Sequence, residues 1–587
     1  MLNNHNLDEQ NEIRKLVKIT FIIWVLCAIY LVFSQWNGVM NLHFNDNDDF
    51  MRFHQYREWL KNGNWYLQPI PQFSPNNQLI MHWSRLVDIP LVLFAGFFSF
   101  FFEPSLAFAL TNTIVPLLYL WIFLLVVALV SYRLFGMETA KIAMLMPLIS
   151  PLSMRFLPGA LDHHNLQFIL LALFLFFSPL VSVRQRFHHA FFSALCMVLS
   201  LWIGLENIYT FVVILFLLTL WGYFSHASYL TFCQSVSLYA VLFIPICLVL
   251  NRPVSEFFVA HYDALSFPFW LCFLSALVFC YALRRISPVC LSAKIAVYLS
   301  LGVLVLLPVV VAYPELLQGG YANYPELLKR LWLDNVSEAR SIFTNMQNDL
   351  GHIGYFFAVL MAILSPYFFD RKETRYHILY VAFLINFLLA SFWQIRMIAV
   401  ALVCGIPLQA YVCAKLREKF HHVLVKIVVL FLSFPSFVLF LFILLFSSTN
   451  EQMEEKEGSH FSVIEFLNKH HIQGKNTLAS IDLGAPIIVG TDNTIISAPY
   501  HRNIQGNLDL FRFFLAEDEG EAKAILDKYR IDYVLLDKNF YQHISRAELE
   551  NTLLERIFKN KKVPAYLEYV DSDGFIKLYR YIGGKNE

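Results

Sequence analysis

Charge is scarce and balanced in this chain: 44 lysines and arginines stand against 44 aspartates and glutamates, together 15% of the residues. With no net field of either sign, the molecule as a whole attracts neither nucleic acid nor an anionic surface, and any functional charge must be local. Cysteine is confined as well. All nine cysteines lie at or before Cys413, in or beside apolar runs, so the C-terminal region has no disulfide framework and cysteine serves as a small apolar filler. Neither a dinucleotide fingerprint nor a Walker A run is present, which removes the usual glycine-rich cradles for nucleotide phosphates. Basic residues Arg14, Lys15 and Lys18 precede the run Ile19 to Phe33, but Ser34-Gln35-Trp36-Asn37 offers no cleavage site, so an uncleaved first span is expected.

What is abundant is apolar surface. Hydrophobic residues make up 57% of the chain, above the roughly half typical of soluble proteins, and mean hydropathy is positive. A span needs about twenty apolar residues. About thirteen are expected, near 19–36, 108–131, 139–156, 166–183, 188–204, 208–225, 234–250, 267–283, 293–312, 352–369, 376–393, 396–413 and 423–446. With the N-terminus inside, alternate connections carry Arg133 with Lys141, Arg184 with Arg186, Arg284 with Arg285, Arg371 with Lys372, and Lys415 with Arg417 and Lys419, as the positive-inside rule requires. The connections 37–87, 157–165, 204–207, 251–266 and 313–351 are longer or richer in acids, histidine and aromatics, and form the outer face. Leu91 to Phe102 is too short to span and reads as an interfacial or re-entrant piece.

Three segments follow: a membrane domain over 1–446, a mixed-charge linker over 447–459, and a soluble α/β domain over 460–587 on the outer side. Leu478 to Ile481, Pro486 to Val489 and Tyr533 to Leu536 read as short buried strands, Glu519 to Tyr529 as an amphipathic helix. Ala565 to Val570 and Phe575 to Tyr581 flank Asp571-Ser572-Asp573-Gly574 as a hairpin.

Chemistry concentrates in the outer connections. Asp46, Asp48 and Asp49 crowd within four positions of the first, an arrangement that is unfavourable without a compensating cation; it suits a divalent-metal site or, alternatively, a solvated helix cap. Asp162-His163-His164 lies between two apolar runs and offers oxygen and imidazole ligands. Asp334 to Arg340 carries Glu338 among apolar neighbours. Arg396 stands where the chain re-enters the membrane and needs an anion or the interface. Glu206 and the run Met81-His82-Trp83-Ser84-Arg85 are weaker candidates, equally suited to interfacial anchoring.

These motifs together resemble the catalytic subunit of oligosaccharyltransferase, within the GT-C class of polytopic glycosyltransferases that use polyprenyl-phosphate-linked sugars. The resemblance covers nearly the whole chain. The family's first-loop motif, an aspartate followed nine residues later by an arginine, is matched by Asp48 and Arg57, with Asp49 the alternative by one position. Asp162-His163-His164 resembles the second acidic motif, and Val336-Ser337-Glu338 the fifth-loop motif. The resemblance implies a divalent cation (Mg or Mn) on Asp48, Asp162 and His164, with Asp48, Asp49 and Glu338 as catalytic carboxylates. Arg396 and His163 would hold the donor phosphate, and Asp482 and His501 the acceptor. Ser480-Ile481 stand where the family's acceptor motif has two tryptophans, and Leu483 replaces its tyrosine, which puts a peptide sequon in doubt.

The implied partners are a polyprenyl-linked sugar donor, a protein, lipid or glycan acceptor, and membrane lipid, without nucleic acid. The implied setting is a bacterial inner membrane, with a cytoplasmic N-terminus and a periplasmic C-terminal domain. Transfer of a single sugar from a polyprenyl monophosphate is the alternative within the class. A lipid or glycan transporter is the alternative outside it, but that would leave polar residues at mid-membrane and an internal repeat, and no clear repeat is visible.

Overall fold

The computed structural model describes residues 2–73, 79–181, 187–286, 288–319, 321, 324–370, 373–446, 462–559 and 562–583; the expected linker 447–459, Arg184, Arg186, Arg371 and Lys372 lie outside them. The chain is a polytopic α-helical membrane protein with a C-terminal α/β domain. Among the described residues seven helices are long and apolar enough to cross a membrane: Glu9–Met40, Pro104–Phe135, Ala227–Asn251, Phe267–Arg285, Leu291–Ala312, Thr374–Phe392 and Met397–Lys419. Two bent pairs, Leu350–Ala358 with Leu360–Phe368 (42°) and Val423–Leu432 with Pro435–Phe446 (81°), meet the same test together. The shorter apolar helices His164–Phe177, Phe187–Ile203 and Ile208–Phe224 coincide with three further expected spans.

The expected span at 139–156 is instead broken into a helix, Met137–Ala143, and two 3-10 turns, Met146–Ile149 and Pro151–Phe156. Pro147 and Pro151 cause the break: neither can donate a backbone hydrogen bond, and each ring disfavours an α-helical residue before it. The apolar piece after residue 87 is indeed short, a twelve-residue helix Asp88–Ser99.

The outer connections gather at one end. Helix α1 (Leu2–Met40) ends there, followed by α2 (Asn47–Asn62), α3 (Asp88–Ser99) and the membrane helix α4 (Pro104–Phe135). Asp46 caps α2 by accepting the Asp48 N–H at 3.1 Å, and Gly63 closes it in the left-handed region at φ 69°. A buried charge network locks α2 to α3: Asp88 accepts from Arg52 at 3.0 Å and from Arg85 at 3.1 Å, while Arg52 stacks over Trp83. Arg85 also donates to the carbonyls of Gln55, Asn64 and Trp65.

The C-terminal domain is built on a five-stranded mixed sheet, ordered β2-β1-β3-β5-β4, with β1 Asn476–Ala479, β2 Thr494–Ile495, β3 Tyr533–Asp537, β4 Leu567–Ser572 and β5 Ile576–Tyr581. β1 runs parallel to β2 and β3, and β5 pairs antiparallel with β3 and with β4, closing the expected hairpin. Glu519–Tyr529 is helical as expected. Pro486 to Val489, expected as a strand, lies inside the helix Gly484–Gly490. A short run buried on every side carries no period to separate strand from helix, and Pro486 falls in the first turn, where proline is tolerated.

This domain shares its apolar cores with the membrane domain. Phe44, Phe50, Tyr56, Phe73 and Trp83 of the first outer connection share one apolar core with Ile487, Ile495, Tyr500 and Leu578. Phe73 bridges to Ile495 at the edge of the sheet. Leu328 and Trp332 of the fifth outer connection enter a second core with Phe511 and Leu526. Removing Asp88 would leave Arg52 and Arg85 buried without their carboxylate, so Asp88→Ala should lower stability by about 3–5 kcal/mol, seen as a reduced unfolding temperature or loss of monodisperse protein in detergent.

Candidate functional site

The site begins with two chain segments that must approach closely. Gly159, at φ +91°, turns the second outer connection, and its N–H donates to the Asn112 carbonyl of α4 at 2.8 Å; an added Cβ would meet Phe44 at 3.3 Å. That turn aims the backbone of Leu161 and Asp162 at α2. Asp49 Oδ1 accepts both their N–H groups, at 2.7 and 2.8 Å, and thereby joins the two acidic motifs.

Around this joint the side chains form a chain of ionic contacts. Asp162 Oδ1 pairs with His163 Nδ1, and Asp162 Oδ2 lies 3.4 Å from His164 Nε2. His163 Nε2 faces Glu206 at 3.3 Å, and Glu206 accepts from Gln167 at 2.7 Å. Arg155 donates to Asp46 at 3.0 Å and to Glu338 at 2.6 Å. Six carboxylates, those of Asp46, Asp48, Asp49, Asp162, Glu206 and Glu338, thus collect around Arg155 and His163.

Electrostatics follow from burial and crowding. Burial, then Asp162 and Asp46, push the Asp48 carboxyl well above the ordinary range. Burial, then Asp46 and Asp162, do the same to Asp49. Burial opposes charge on Asp162 too, but His163 and His164 outweigh it and hold that carboxyl well below the ordinary range. Burial likewise opposes charge on His163, yet Asp162 and Glu206 push its imidazole up to about 10. The result is an imidazolium at His163 clamped between two carboxylates, beside two aspartates, Asp48 and Asp49, whose ionisation is opposed by burial and by their acidic neighbours.

A cavity of about 310 Å³ opens among Asp46, Asp49, Arg155, Ala160, Asp162 and His164. Asp162 Oδ2 is buried with no hydrogen-bond donor among the described residues. A buried carboxylate oxygen with no donor, an adjacent imidazole and uncompensated negative charge fit a divalent cation.

The expected site residues are brought together in part. Asp48, Asp49, Asp162, His163, His164 and Glu338 converge. Arg396 joins through the backbone: its N–H donates to the Glu338 carbonyl at 3.4 Å, and its Nε donates to Gln394 at 2.7 Å. Arg57 faces away, donating to the Val489 carbonyl at 3.3 Å, so it fastens α2 to the C-terminal domain. Asp482 stands in the turn Ile481–Leu483, whose flanking side chains are buried. His501 pairs with Asp263 at 2.8 Å and packs on His82 and Tyr321.

Several neighbours escape sequence reading. Arg155 lies seven residues before Asp162 in a stretch that reads as a span, where an ionisable residue is itself a functional signal. Tyr500 reaches from the C-terminal domain to donate to the Asn47 carbonyl at 3.0 Å, one residue before Asp48.

No family model matches the chain, and no curated protein matches it in sequence. Solved structures do match its fold. The archaeal oligosaccharyltransferase AglB from Archaeoglobus fulgidus, in complex with an inhibitory peptide and a dolichol-phosphate, aligns with a TM-score of 0.62 at 15% identity over 97% of this chain and 75% of that one. An Archaeoglobus fulgidus oligosaccharyltransferase in complex with Zn and sulfate aligns at 0.60 with 16% identity, over 96% and 73%. A form tethered to an acceptor peptide containing the NVT sequon gives 0.60 at 14%, over 96% and 74%. The shared feature is the GT-C fold with its C-terminal domain.

Because Asp49 joins the two motifs through acceptance, geometry and charge can be separated. Asp49→Asn keeps an acceptor oxygen and should remain within about 1 kcal/mol of wild type, whereas Asp49→Ala orphans two buried N–H groups and should lose about 1–3 kcal/mol for each, measured by thermal unfolding in detergent.

Proposed function

We propose that this chain is a GT-C glycosyltransferase that moves a sugar or oligosaccharide from a polyprenyl-(pyro)phosphate carrier to an acceptor at the outer face of the membrane, with inversion and with a divalent cation. One observation carries the reading: six carboxylates gather around two cationic side chains, three of them (Asp46, Asp49 and Asp162) line an open cavity with Arg155 and His164, and Asp162 Oδ2 is buried without a hydrogen-bond donor among the described residues. The ligands bound in the structural neighbours, dolichol-phosphate, an acceptor peptide and zinc with sulfate, support the same reading.

Asp48, Asp162 and His164 would hold the cation, magnesium or manganese. When bound, it supplies compensation for charge developing on the leaving phosphate. The remaining chemistry belongs to the protein. Asp48 takes the acceptor proton as the acceptor attacks the anomeric carbon; the bond from that carbon to the carrier phosphate breaks, and the phosphate departs as an anion. A single displacement from the opposite side inverts the configuration.

Asp49 is the poorer base, because one of its oxygens already accepts two backbone N–H groups. Glu338, paired with Arg155 and almost half exposed, approaches from the fifth connection and orients the acceptor. Arg396 and His163 hold the donor phosphate, His163 by exchanging its Nε2 contact with Glu206 for the phosphate. His501 and Asp482 border the acceptor side. In this reading residues 1–446 form the catalytic membrane domain and 460–587 cover its outer, periplasmic mouth, with the N-terminus in the cytoplasm of a bacterium.

A second acceptor class has its own support. Where a peptide hydroxyl would be gripped, Ser480 is buried and bonded to Asp537, and Ile481 and Leu483 are buried in the domain core. A lipid or glycan acceptor, served by a single sugar on a polyprenyl monophosphate, suits such a filled surface.

The test is turnover of lipid-linked sugars from membrane extracts by the purified full-length chain. Asp48→Asn and Asp162→Asn should each reduce a manganese- or magnesium-dependent turnover by about 100-fold or more while leaving the protein monodisperse. Turnover that persists in chelator would favour the monophosphate donor. A wild type that consumes no lipid-linked sugar under any metal condition would sink the transferase reading.

A further inference from the structure

A second cluster lies beside the carboxylates and belongs to neither motif. His82 comes from the first outer connection, Asp263 from the fourth, and His501 from the C-terminal domain, and one ligand atom of each lies within 4.8 Å of the other two. His501 Nε2 is 2.8 Å from Asp263 Oδ2, and the His82 and His501 rings are 4.5 Å apart. We propose that His82, Asp263 and His501 form a second metal site, selective for zinc, that pins the C-terminal domain to two outer connections of the membrane domain.

The donor chemistry carries the inference. Two imidazoles and one carboxylate are a borderline-soft, nitrogen-rich set of the kind zinc favours, unlike the oxygen-rich cluster around Asp48 and Asp162, which suits magnesium or manganese. Three ligands leave a fourth position for water. Tetrahedral bonds of about 2.0–2.1 Å place ligands about 3.4 Å apart, so the trio must close by little more than an ångström at its widest separation. Two imidazoles packed this closely, with ring centres 4.5 Å apart, repel each other if both are protonated, and a shared cation removes that conflict.

Arg502 already orients the carboxylate, with Nε 2.7 Å from Asp263 Oδ2 and Nη2 2.9 Å from Oδ1. Each carboxylate oxygen has two lone pairs, so Asp263 can serve Arg502 and a metal together. The positive charge of Arg502 and of nearby Arg252 opposes a cation here and sets the affinity below that of the trio alone.

The experiment is independent of glycosyl transfer. Untagged full-length protein in detergent is equilibrated with saturating manganese and limiting zinc, and bound zinc is counted. Wild type and Asp162→Asn should each retain one zinc equivalent, and His82→Gln and His501→Gln should each lose it. Cobalt in place of zinc, on the wild type alone, should give the intense visible absorption of a four-coordinate site, so the outcome does not hang on a variant that fails to fold. Absence of zinc from the wild type, zinc that persists in His82→Gln, or a weak six-coordinate cobalt spectrum would each overturn the proposal.

Discussion

Everything at the outer end of this molecule answers to one electrostatic constraint: too many carboxylates are drawn into one half-buried volume. Isolated buried carboxylates would simply take up protons. Here each one is disposed of differently. Asp46 caps α2 and takes one arm of Arg155; Glu338 takes the other. Glu206 and Asp162 share a protonated His163. Asp49 is satisfied by backbone donors. Asp48, pressed by burial and by Asp162 and Asp46 and capped by none of these, is the carboxyl whose ionisation the protein leaves least supported. The division of labour proposed for Asp48 and Asp49, adjacent and chemically identical, thus arises from which one the turn at Gly159 can reach.

The same constraint explains why the C-terminal domain cannot be treated as an appendage. A crowded acidic cluster needs walls that exclude water and fix the helix carrying it. α2 receives those walls from both sides: the Arg52–Asp88–Arg85 network beneath it, and the helix Gly484–Gly490 together with Tyr500 above it. Gly484 lets that helix lie close against its own domain, since a Cβ there would meet the Ser497 carbonyl at 2.2 Å. The C-terminal domain therefore touches the acidic loop directly, through the Tyr500 hydroxyl on the Asn47 carbonyl, as well as through the shared apolar core and Arg57.

Much of this was legible in the sequence, and the reasons differ residue by residue. Asp162-His163-His164 stood out because three polar groups interrupt two long apolar runs. Glu519 to Tyr529 was readable from its helical period, and Asp573-Gly574 from its turn chemistry. Pro486 to Val489 was not, because full burial erases periodicity. Arg155 was hidden inside an apolar stretch whose prolines break it into 3-10 turns, bringing the guanidinium to the surface of the cavity. Arg57 shows the opposite failure: a matched spacing, nine residues after Asp48, which the helix geometry turns away from the acids and toward Val489. Spacing along α2 sets the angular position of a side chain, but the neighbouring surface decides what it meets.

The acceptor side follows from the same physics of filled space. A site that recognises a hydroxyl needs exposed aromatic walls and an unsatisfied partner, since discrimination comes from a polar group left unpaired by the wrong ligand. In this domain the corresponding turn has spent those resources internally. Ser480 is bonded to Asp537, which also caps the following helix by accepting the Phe540 N–H at 2.7 Å, and Ile481 and Leu483 have become core. Polar groups outside that turn gather elsewhere, on Tyr321, His501, Arg502 and Asp263, where the fourth and fifth connections meet the C-terminal domain.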